Sequence, residues 1–596
     1  MREYSTPLTV DLPGSGNLTD DVVDNGQSHP DAVSFSRRSA TGWSDITASE
    51  FLQDVRAVAK GLLASGICIG DRVAIISRTR YEWTLTDYAI WFVGAVTVPI
   101  YETSTAEQIE WILTNSGARA VVAETPEHVS RIEKGAGNLA EPLSIWSLDE
   151  DAVGFLRASG TDVADHELES RRKASGPTSL ATIIYTSGTT GRPRGCMLTH
   201  GNVMFALGTA VEALPELFGR EAASTLAFLP LPHVFARILQ VGAVRARVRL
   251  GYSSEFKQLL DDLESFGPTF VLAVPRVFER LFNTVSQRAA ADGRGKTFDR
   301  SAETAIAYSR AMDMGKPGVA LRVKHAVYDR LVYRKLRTAL GGRCEYAVSG
   351  GAPIGERLGH FYQGVGLVLL EGYGLTEATA ALTVNLPETA KIGSAGRPLP
   401  GTTIRVADDG ELLAKGGQLF SGYWKDEDAT SAVISTEGWL HTGDLGEIDD
   451  EGFVRVTGRK EEIIVTAGGK NVAPSVLEDR VRAHSLVSQC MVVGDGQAYI
   501  AALITLDPEN LGSWVEQHGK SADVLQLIED AELIAEIQTA IDDANGAVSR
   551  AEAIRKFTIL TLDWTEESGH LTPSLKLKRN VVLRDFYRDV AALHAS

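Results

Sequence analysis

Cysteine is scarce: Cys68, Cys196, Cys344 and Cys490 are the only four among 596 residues. They stand singly, with no C-x-x-C pair and no histidine at metal-ligand spacing, which excludes a zinc-ribbon site and a disulfide framework. So few thiols fit a reducing cytoplasm. Long apolar runs are missing too; the greasiest stretch, Tyr88 to Ile100, is too short to span a bilayer and contains Gly94 and Pro99. The first residues lead into polar sequence with Asp20, Asp21 and Asp24, where a secretion signal would need an apolar segment. Positive charge is in deficit, 59 Lys+Arg against 77 Asp+Glu, a formal charge of −18. That argues against sequence-independent binding to nucleic acid, but not against small anions held by glycine loops and helix N-termini. With 44% hydrophobic and 23% charged residues the chain has ordinary globular composition, long enough for three or more cores at roughly 100–200 residues each. Glycine alone is in excess, at 57, which points to tight turns or close backbone-to-ligand approaches.

Apolar residues recur at helical spacing from Phe51 to Ala64, Asp71 to Ile76 reads as a strand, and the alternation continues through Tyr81–Val96, Ala118–Ala123 and Ala181–Tyr185. This predicts an α/β fold with mostly parallel sheet. Between Val277 and Gly341 the sequence becomes helical and basic, with Arg322, Lys324, Arg330, Arg334, Lys335 and Arg337 close together. A solvated helical face is the first reading there, an anion or membrane-surface patch the second. After Lys391 short strands separated by Gly and Asp-Gly turns predict a small antiparallel or barrel-like subdomain over about 391–459. The boundary falls after Thr457-Gly458-Arg459, giving a large domain, 1–459, and a small α+β domain, 460–596, with a strand at Glu462–Thr466, a helix from Pro474, strands near Met491 and Ile500, and helices to about Ile554.

The most informative segment is Tyr185-Thr186-Ser187-Gly188-Thr189-Thr190-Gly191-Arg192-Pro193-Arg194-Gly195, directly after an apolar strand. Hydroxyls and glycines this dense can offer N–H and O–H donors to a polyphosphate, with arginines adding charge. It is not a Walker A loop, and neither is Gly293-Arg294-Gly295-Lys296-Thr297, because Ala290 stands where the first glycine is required.

The segment resembles the phosphate-binding signature of the adenylate-forming, AMP-producing acyl-CoA synthetases. Five further signatures follow in family order. Glu371-Gly372-Tyr373-Gly374-Leu375-Thr376-Glu377 is similar to the second core motif, and Gly438-Trp439-Leu440-His441-Thr442-Gly443-Asp444 to the third. Gly458-Arg459-Lys460-Glu461-Glu462 resembles the inter-domain hinge, Gly468-Gly469-Lys470-Asn471-Val472-Ala473-Pro474 the loop beyond it, and Leu571-Thr572-Pro573-Ser574-Leu575-Lys576-Leu577-Lys578 the C-terminal lysine motif. The likeness runs from about Trp43 to Lys578.

The resemblance implies a reaction in two halves: a carboxylate attacks the α-phosphorus of ATP to give an acyl-adenylate and pyrophosphate, and a thiol of CoA then displaces AMP. It implies that Tyr373 stacks on adenine, Thr186, Thr376 and the donor loop with Arg194 meet phosphate, and Asp444 and Arg459 hold the ribose. Glu377 would carry Mg²⁺, a hard cation that takes one or two carboxylates beside substrate phosphates. Ser349-Gly350-Gly351-Ala352-Pro353 and Glu371 would border the adenine and acyl sites, with side chains absent so that a ligand can come close. Lys576 would bridge carboxylate and phosphate, Lys578 being its runner-up, and Glu461 would be the pivot that withdraws Lys576 and brings Gly468 and Lys470 beside the pantetheine. Cys196 is read as a packed thiol only.

Val274-Pro275-Arg276-Val277-Phe278-Glu279-Arg280, the long helical stretch to Gly341, and Leu229-Pro230-Leu231-Pro232-His233-Val234-Phe235 are similar to the long-chain fatty acyl branch. There His233 would stand near the acyl pocket; a satisfied loop histidine is the equal alternative. Two positions depart from the family pattern: Arg194 replaces a usual lysine, and Glu461 stands where Asp or Lys is usual. A fatty acyl-AMP ligase is the competing reading, disfavoured because no insertion is seen between Glu377 and Asp444. A peptide-synthetase adenylation domain is disfavoured because no carrier segment follows Lys578, and a non-enzymatic nucleotide-binding scaffold because Glu377, Asp444, Arg459 and Lys576 are all in place. The expected setting is cytoplasmic, with peripheral contact at the inner membrane surface and a homodimer both left open.

Overall fold

Strands that are apolar along their whole length need cover on both faces, and the alternation of such strands with amphipathic helices supplies it. The computed structural model describes residues 1–39, 42–136, 142–186, 192–572 and 575–595. Its first sheet runs Ser144–Ser147, Ala118–Ala123, Arg72–Ile76, Val96–Ile100, Leu180–Thr186, all parallel, and closes with Arg194–Thr199 antiparallel at the edge. The buried faces of Arg72–Ile76 and Val96–Ile100 are almost wholly aliphatic. The helix Ala48–Ala64, started by a capping box in which Thr47 and Glu50 satisfy each other's orphan donors, packs against the helix Tyr81–Phe92. The helix Tyr81–Phe92 is buried at nearly every position, as its lack of amphipathic patterning requires.

A second layer holds the four strands Ser224–Ala227, Arg249–Tyr252, Val33–Ser39 and Gly42–Thr47. A third holds Phe270–Ala273, Tyr346–Ser349 and Val368–Tyr373 in parallel, extended by the antiparallel Thr383–Val384 and Arg397–Pro398. The helix Val234–Ala246 is tied to the first sheet through Arg237, which donates to Asp87 at 2.5 Å and to Thr182 Oγ1 at 2.6 Å in a fully buried setting. Removing one partner of such a buried pair costs about 3–5 kcal/mol, so this helix and the residue that caps it are firmly placed.

The β-rich region is one antiparallel sheet, Glu3–Ser5, Thr403–Val406, Glu411–Lys415, Leu440–Ile448 and Val454–Arg459. Its first strand comes from the other end of the chain, pairing Glu3 with Arg405. Beyond Arg459 the strands Val487–Val493, Ile500–Leu506 and Ile554–Ile559 form a sheet with its own hydrophobic cluster, covered by the helices Pro474–Arg482 and Ala531–Asn545. Among the described residues, no helix is long and apolar enough to cross a membrane.

Candidate functional site

A cavity of about 950 Å³ lies between the large N-terminal region and the region beyond Arg459, and both contribute its walls. Of the residues singled out from sequence, it is lined by Thr186, His233, Gly350, Gly351, Gly372, Tyr373, Gly374, Thr376, Glu377, Arg459, Glu461, Lys576 and Lys578. Ser187, Gly188, Thr189, Thr190 and Gly191 lie outside the described residues.

The floor is the end of the strand Val368–Tyr373 and the turn after it. Gly374 has no room for a side chain: a Cβ there would meet the carbonyl oxygen of Ala380 at 1.5 Å. The approach is made by Thr379 and Ala380, both with left-handed backbone (φ 49° and 79°), and Thr379 is held by its Oγ1 donating to Gln418 O at 2.6 Å. We expect Gly374→Ala to lower stability by about 1–3 kcal/mol, the usual cost of overpacking, read as a fall in thermal midpoint. It should also displace Tyr373, Thr376 and Glu377 on the cavity wall, which ride on the same turn.

Glu377 is aimed by Tyr423, whose hydroxyl donates to Glu377 Oε1 at 2.8 Å. Tyr423 is in turn bridged through its backbone to Cys196, and Thr186 Oγ1 lies 3.9 Å from the Cys196 sulfur. Burial, then Glu377, push the Cys196 thiol far above its usual pKa, so it is an inert packed thiol as expected. One carboxylate with hard oxygen donors, held half-buried at a cavity wall, suits a Mg²⁺ ion whose other ligands come from phosphates and water. Among the described residues no group of three or more His, Cys, Asp or Glu side chains could enclose a metal without such help.

Asp444 sits one layer behind the wall, buried, on the strand Leu440–Ile448 and directly opposite Arg459 across the sheet. Tyr373 donates its hydroxyl to Asp444 Oδ2 at 2.7 Å, and Arg459 Nε meets Asp444 Oδ1 at 2.9 Å. Tyr373 lines the cavity and is fixed at its far end by this carboxylate, while burial, then Asp444, hold its phenol well above the usual pKa and keep it a donor.

His233 caps the helix Val234–Ala246, accepting at Nδ1 from the Phe235 N–H at 3.2 Å. Burial, then the nearby Lys576 charge, lower its pKa to about 3. The ring is therefore neutral, carries its proton on Nε2, and lines the cavity as a donor. Beside it the wall is apolar, with Phe235, Val348 and Val384, and Gly350 opens the space: a Cβ there would stand 3.1 Å from the Phe235 ring. Gly351 takes φ +87°, which a side chain would strain.

Lys576 reaches this cavity from the far end of the chain. Its backbone N–H donates to Thr572 Oγ1 at 3.0 Å, its carbonyl accepts from Thr572 N at 2.8 Å, and Leu575 turns the chain with φ +61°. Lys576 keeps exposed surface within the cavity, yet protein crowds its remaining sides. Lost hydration, then Arg459, lower its pKa below the usual amine range, against the pull of Asp444, Glu377 and Glu462. One lysine thus faces the carboxylates and the neutral histidine together.

Several expected residues are elsewhere. Arg194, the partner of Thr186 across the strand edge, is more than half exposed, 3.5 Å from Asp426 and stacked over Tyr423. Glu371 lies on the strand leading to Tyr373 but not on the cavity wall; burial, then Asp479, push its carboxyl up to about 8. Ala352 is exposed beyond Gly351. Gly468 and Lys470 sit on an exposed turn away from the cavity, where Lys470 pairs with Glu552 at 3.2 Å. Sequence reasoning missed Tyr423 and Arg579 and placed Glu462 only in the hinge motif; Glu462 and Arg579 are on the cavity wall, with Arg579 anchored on Glu478 at 2.7 Å. It also missed the contacts between the two regions: Arg276 donates to Ser488 O at 2.7 Å and to Ser488 Oγ at 3.1 Å, Arg357 to Ala483 O at 3.2 Å, and Arg280 approaches Glu509 at 3.5 Å. No local pattern marks these pairs, because each joins segments more than one hundred residues apart.

A layered α/β protein that closes a half-polar, half-apolar cavity between a large region and a small one, with the small region supplying Lys576, Lys578 and Arg579 to the wall, is built as a two-domain enzyme for small molecules. The chain belongs to the family of AMP-binding enzymes: the family described as "AMP-binding enzyme" matches residues 22–424, and "AMP-binding enzyme C-terminal domain" matches residues 461–596. The long-chain-fatty-acid–CoA ligase FadD15 of Mycobacterium bovis is 49% identical over 599 residues, covering all of both chains. The peroxisomal long chain acyl-CoA synthetase 7 of Arabidopsis thaliana is 27% identical, over 98% of this chain and 87% of its own. Among solved structures, the anthranilate CoA ligase AuaEII in complex with anthranoyl-AMP shares the fold with TM-score 0.74 and 19% identity, over 98% of this chain and 99% of that one. The A domain of the carboxylic acid reductase from Segniliparus rugosus, in complex with AMP and a co-purified carboxylic acid, gives TM-score 0.76 and 21% identity over 97% and 94%.

Proposed function

We propose that this chain is an ATP-dependent long-chain fatty acid–CoA ligase that works through an acyl-adenylate. A fatty carboxylate oxygen attacks the α-phosphorus of ATP and pyrophosphate leaves; the CoA sulfur then attacks the acyl carbon, the carbon–oxygen bond to phosphate breaks, and AMP departs. The observation that carries the reading is the convergence of Lys576, from the far C-terminal end of the chain, with Thr186, Glu377 and the neutral His233 on one cavity. Full-length identity of 49% to a long-chain-fatty-acid–CoA ligase supports the choice of acid and acceptor.

In this reading Tyr373, fixed by Asp444, carries the base and Asp444 with Arg459 the ribose. Thr186, Thr376 and the loop Ser187–Gly191 meet phosphate, and Lys576 lies between carboxylate and α-phosphate. Glu377 would hold Mg²⁺, which supplies neutralisation of phosphate charge. His233 Nε2–H faces the acyl end, whose walls are Phe235, Val348 and Val384. That Lys576 lines the cavity while Gly468 and Lys470 do not supports reading this orientation as the one for adenylate formation. The small domain, from residue 460 onward, then turns about Glu461 against the large domain that ends at Arg459, bringing Gly468 and Lys470 toward the thiol. A cytoplasmic setting, and contact with the inner face of a membrane where fatty acids partition, belong to the same reading.

Incubating the protein with ATP, Mg²⁺ and fatty acids of graded length, with and without CoA, and following AMP and thioester, tests it. AMP without CoA-dependent thioester would move the assignment to an adenylate ligase that serves a carrier protein. No AMP would remove the enzyme reading.

The same reading assigns Arg276 to the orientation rather than the chemistry. Its two hydrogen bonds to Ser488 exist only while the two domains are docked this way, and a charged hydrogen bond contributes about 1.5–3 kcal/mol. Arg276→Ala should therefore slow adenylate formation about tenfold and leave thioester formation from supplied acyl-adenylate unchanged or faster, as separate single-turnover measurements of the two halves would show.

A further inference from the structure

We propose that the outer face of the helix Val319–Tyr328 and the turn after it is a docking surface for a membrane that contains anionic phospholipid. Reading charge alone, the basic run here is a solvated helical face. The structure adds an apolar stripe. Val319, Val323, Val327 and Leu331 are 75%, 60%, 51% and 57% exposed, and their spacing of four places them along one side of the helix. Met312 and Met314, at the end of the preceding helix Gly295–Asp313, are 51% and 84% exposed. Six of the eighteen exposed large hydrophobic side chains among the described residues thus fall within twenty positions. That clustering is unlike the single exposed apolar residues normal on a protein surface.

The face is held rigidly from behind. His325 stacks on Tyr308 with ring centroids 3.8 Å apart and its Nε2 is 2.6 Å from Gly364 O, while Tyr328, Val332 and Leu336 pack onto the cluster around Phe278 and Phe361. No residue of the helix itself is buried.

Charge identifies the occupant. Between residues 312 and 343 stand Lys316, Arg322, Lys324, Arg330, Arg334, Lys335, Arg337 and Arg343 against Asp313 and Asp329, a local charge of 8 − 2 = +6 in a chain of −18. Asp329 is taken by Arg337 at 2.8 Å. Among the described residues none of Lys316, Arg322, Lys324, Arg330, Arg334 and Lys335 has a carboxylate within ion-pair distance. A second copy on a two-fold axis would set this positive face against itself. Aliphatic side chains flanked by Arg322 and Lys324 on a convex helix suit the boundary of an anionic bilayer, where valines and leucine enter the acyl edge and the basic heads meet phosphate. The face would bring the enzyme to a surface in which its proposed fatty substrate is dissolved, and for that purpose only it rests on the proposed function.

Sedimentation of the full chain with vesicles, without ATP, CoA or fatty acid, tests the surface apart from the chemistry. Binding to vesicles of phosphatidylcholine with phosphatidylglycerol is expected to exceed binding to phosphatidylcholine alone at least tenfold and to fall with salt. Val323→Asp with Val327→Asp should abolish it. Arg322→Gln with Lys324→Gln should weaken it about twenty-five-fold, from about fivefold per basic residue. Thermal midpoint and turnover of a short, water-soluble acid check that both variants fold. Vesicle binding that ignores both substitutions, or no binding by the unaltered chain at low salt, overturns the proposal. So does a dimer in solution that Val323→Asp with Val327→Asp splits, since the face would then be covered by a second copy.

Discussion

Lys576→Ala is expected to cut adenylate formation by about 10²–10³, while thioester formation from supplied acyl-adenylate and CoA stays within a few-fold of the unaltered rate. The magnitude is that of removing one pre-placed donor from a charge-developing transition state. The asymmetry follows from where the residue comes from. Lys576 is the one expected catalytic side chain carried beyond Arg459, and it shares a cavity with Thr186, Glu377 and His233 only while that region of the chain is docked as described. Its lost hydration is only partly offset by the carboxylates Asp444, Glu377 and Glu462, an arrangement with no evident structural use, since the tip of a turn needs no cation. Single-turnover release of pyrophosphate reads the first half and thioester the second. Equal loss in both halves would remove the assignment.

The same lysine predicts a pH dependence. A pKa below the usual amine value means that the charge is lost at lower pH than an ordinary lysine would lose it. Adenylate formation should decline on the alkaline side, and the decline should be missing from the thioester half. His233, neutral above about pH 3, contributes no limb in the working range. Lys576→Arg, whose guanidinium stays charged, should keep a fraction of the rate and lose the alkaline decline. A decline that persists in that variant belongs to another group.

How much of this is legible in the sequence depends on how local each signal is. The helix Ala48–Ala64 announces itself by its capping residues and spacing, and the residues around Tyr373, Asp444 and Lys576 lie in segments whose chemistry is complete within a few positions. The strand Val96–Ile100 merges into the helical reading of Tyr81–Val96, because an unbroken apolar run carries no period to separate helix from strand. The segment Ile554–Ile559 reads as the end of a helical stretch, yet it pairs parallel with Ile500–Leu506; its charged residues Arg555 and Lys556 face outward, and only the partner strand defines it. Glu3–Ser5 has no sequence signal as a strand and exists because Thr403–Val406 offers it an edge. The latch between Arg276 and Ser488, and the outward turn of Val319, Val323 and Val327, depend on which surfaces meet after folding. A residue-by-residue reading assigns valines to the interior by default.

Asp444→Asn should raise the KM for ATP about a hundredfold and, unlike any change at Lys576, slow both halves of the reaction. The carboxylate accepts from two donors at once, the Tyr373 hydroxyl on Oδ2 and the Arg459 guanidinium on Oδ1. An amide of the same shape offers one acceptor and places an NH₂ against a second donor. If the amide oxygen serves Arg459, the Tyr373 hydroxyl must turn and the ring that faces the cavity loses its anchor; if it serves Tyr373, an amide and a guanidinium collide. Leaving one buried group without its partner costs about 1–3 kcal/mol, or about ten- to a hundredfold. In the proposed function Asp444 also accepts from the ribose hydroxyls, so its loss would add to this in every state that contains AMP, through both halves. Asp444 lies in the strand sheet before Arg459, so rotation of the later region does not carry it away. Comparison of ATP with its 2′- and 3′-deoxy analogues isolates the ribose contribution. The unaltered chain should discriminate against them at least tenfold and Asp444→Asn hardly at all, while discrimination that survives the substitution would place the ribose on another acceptor.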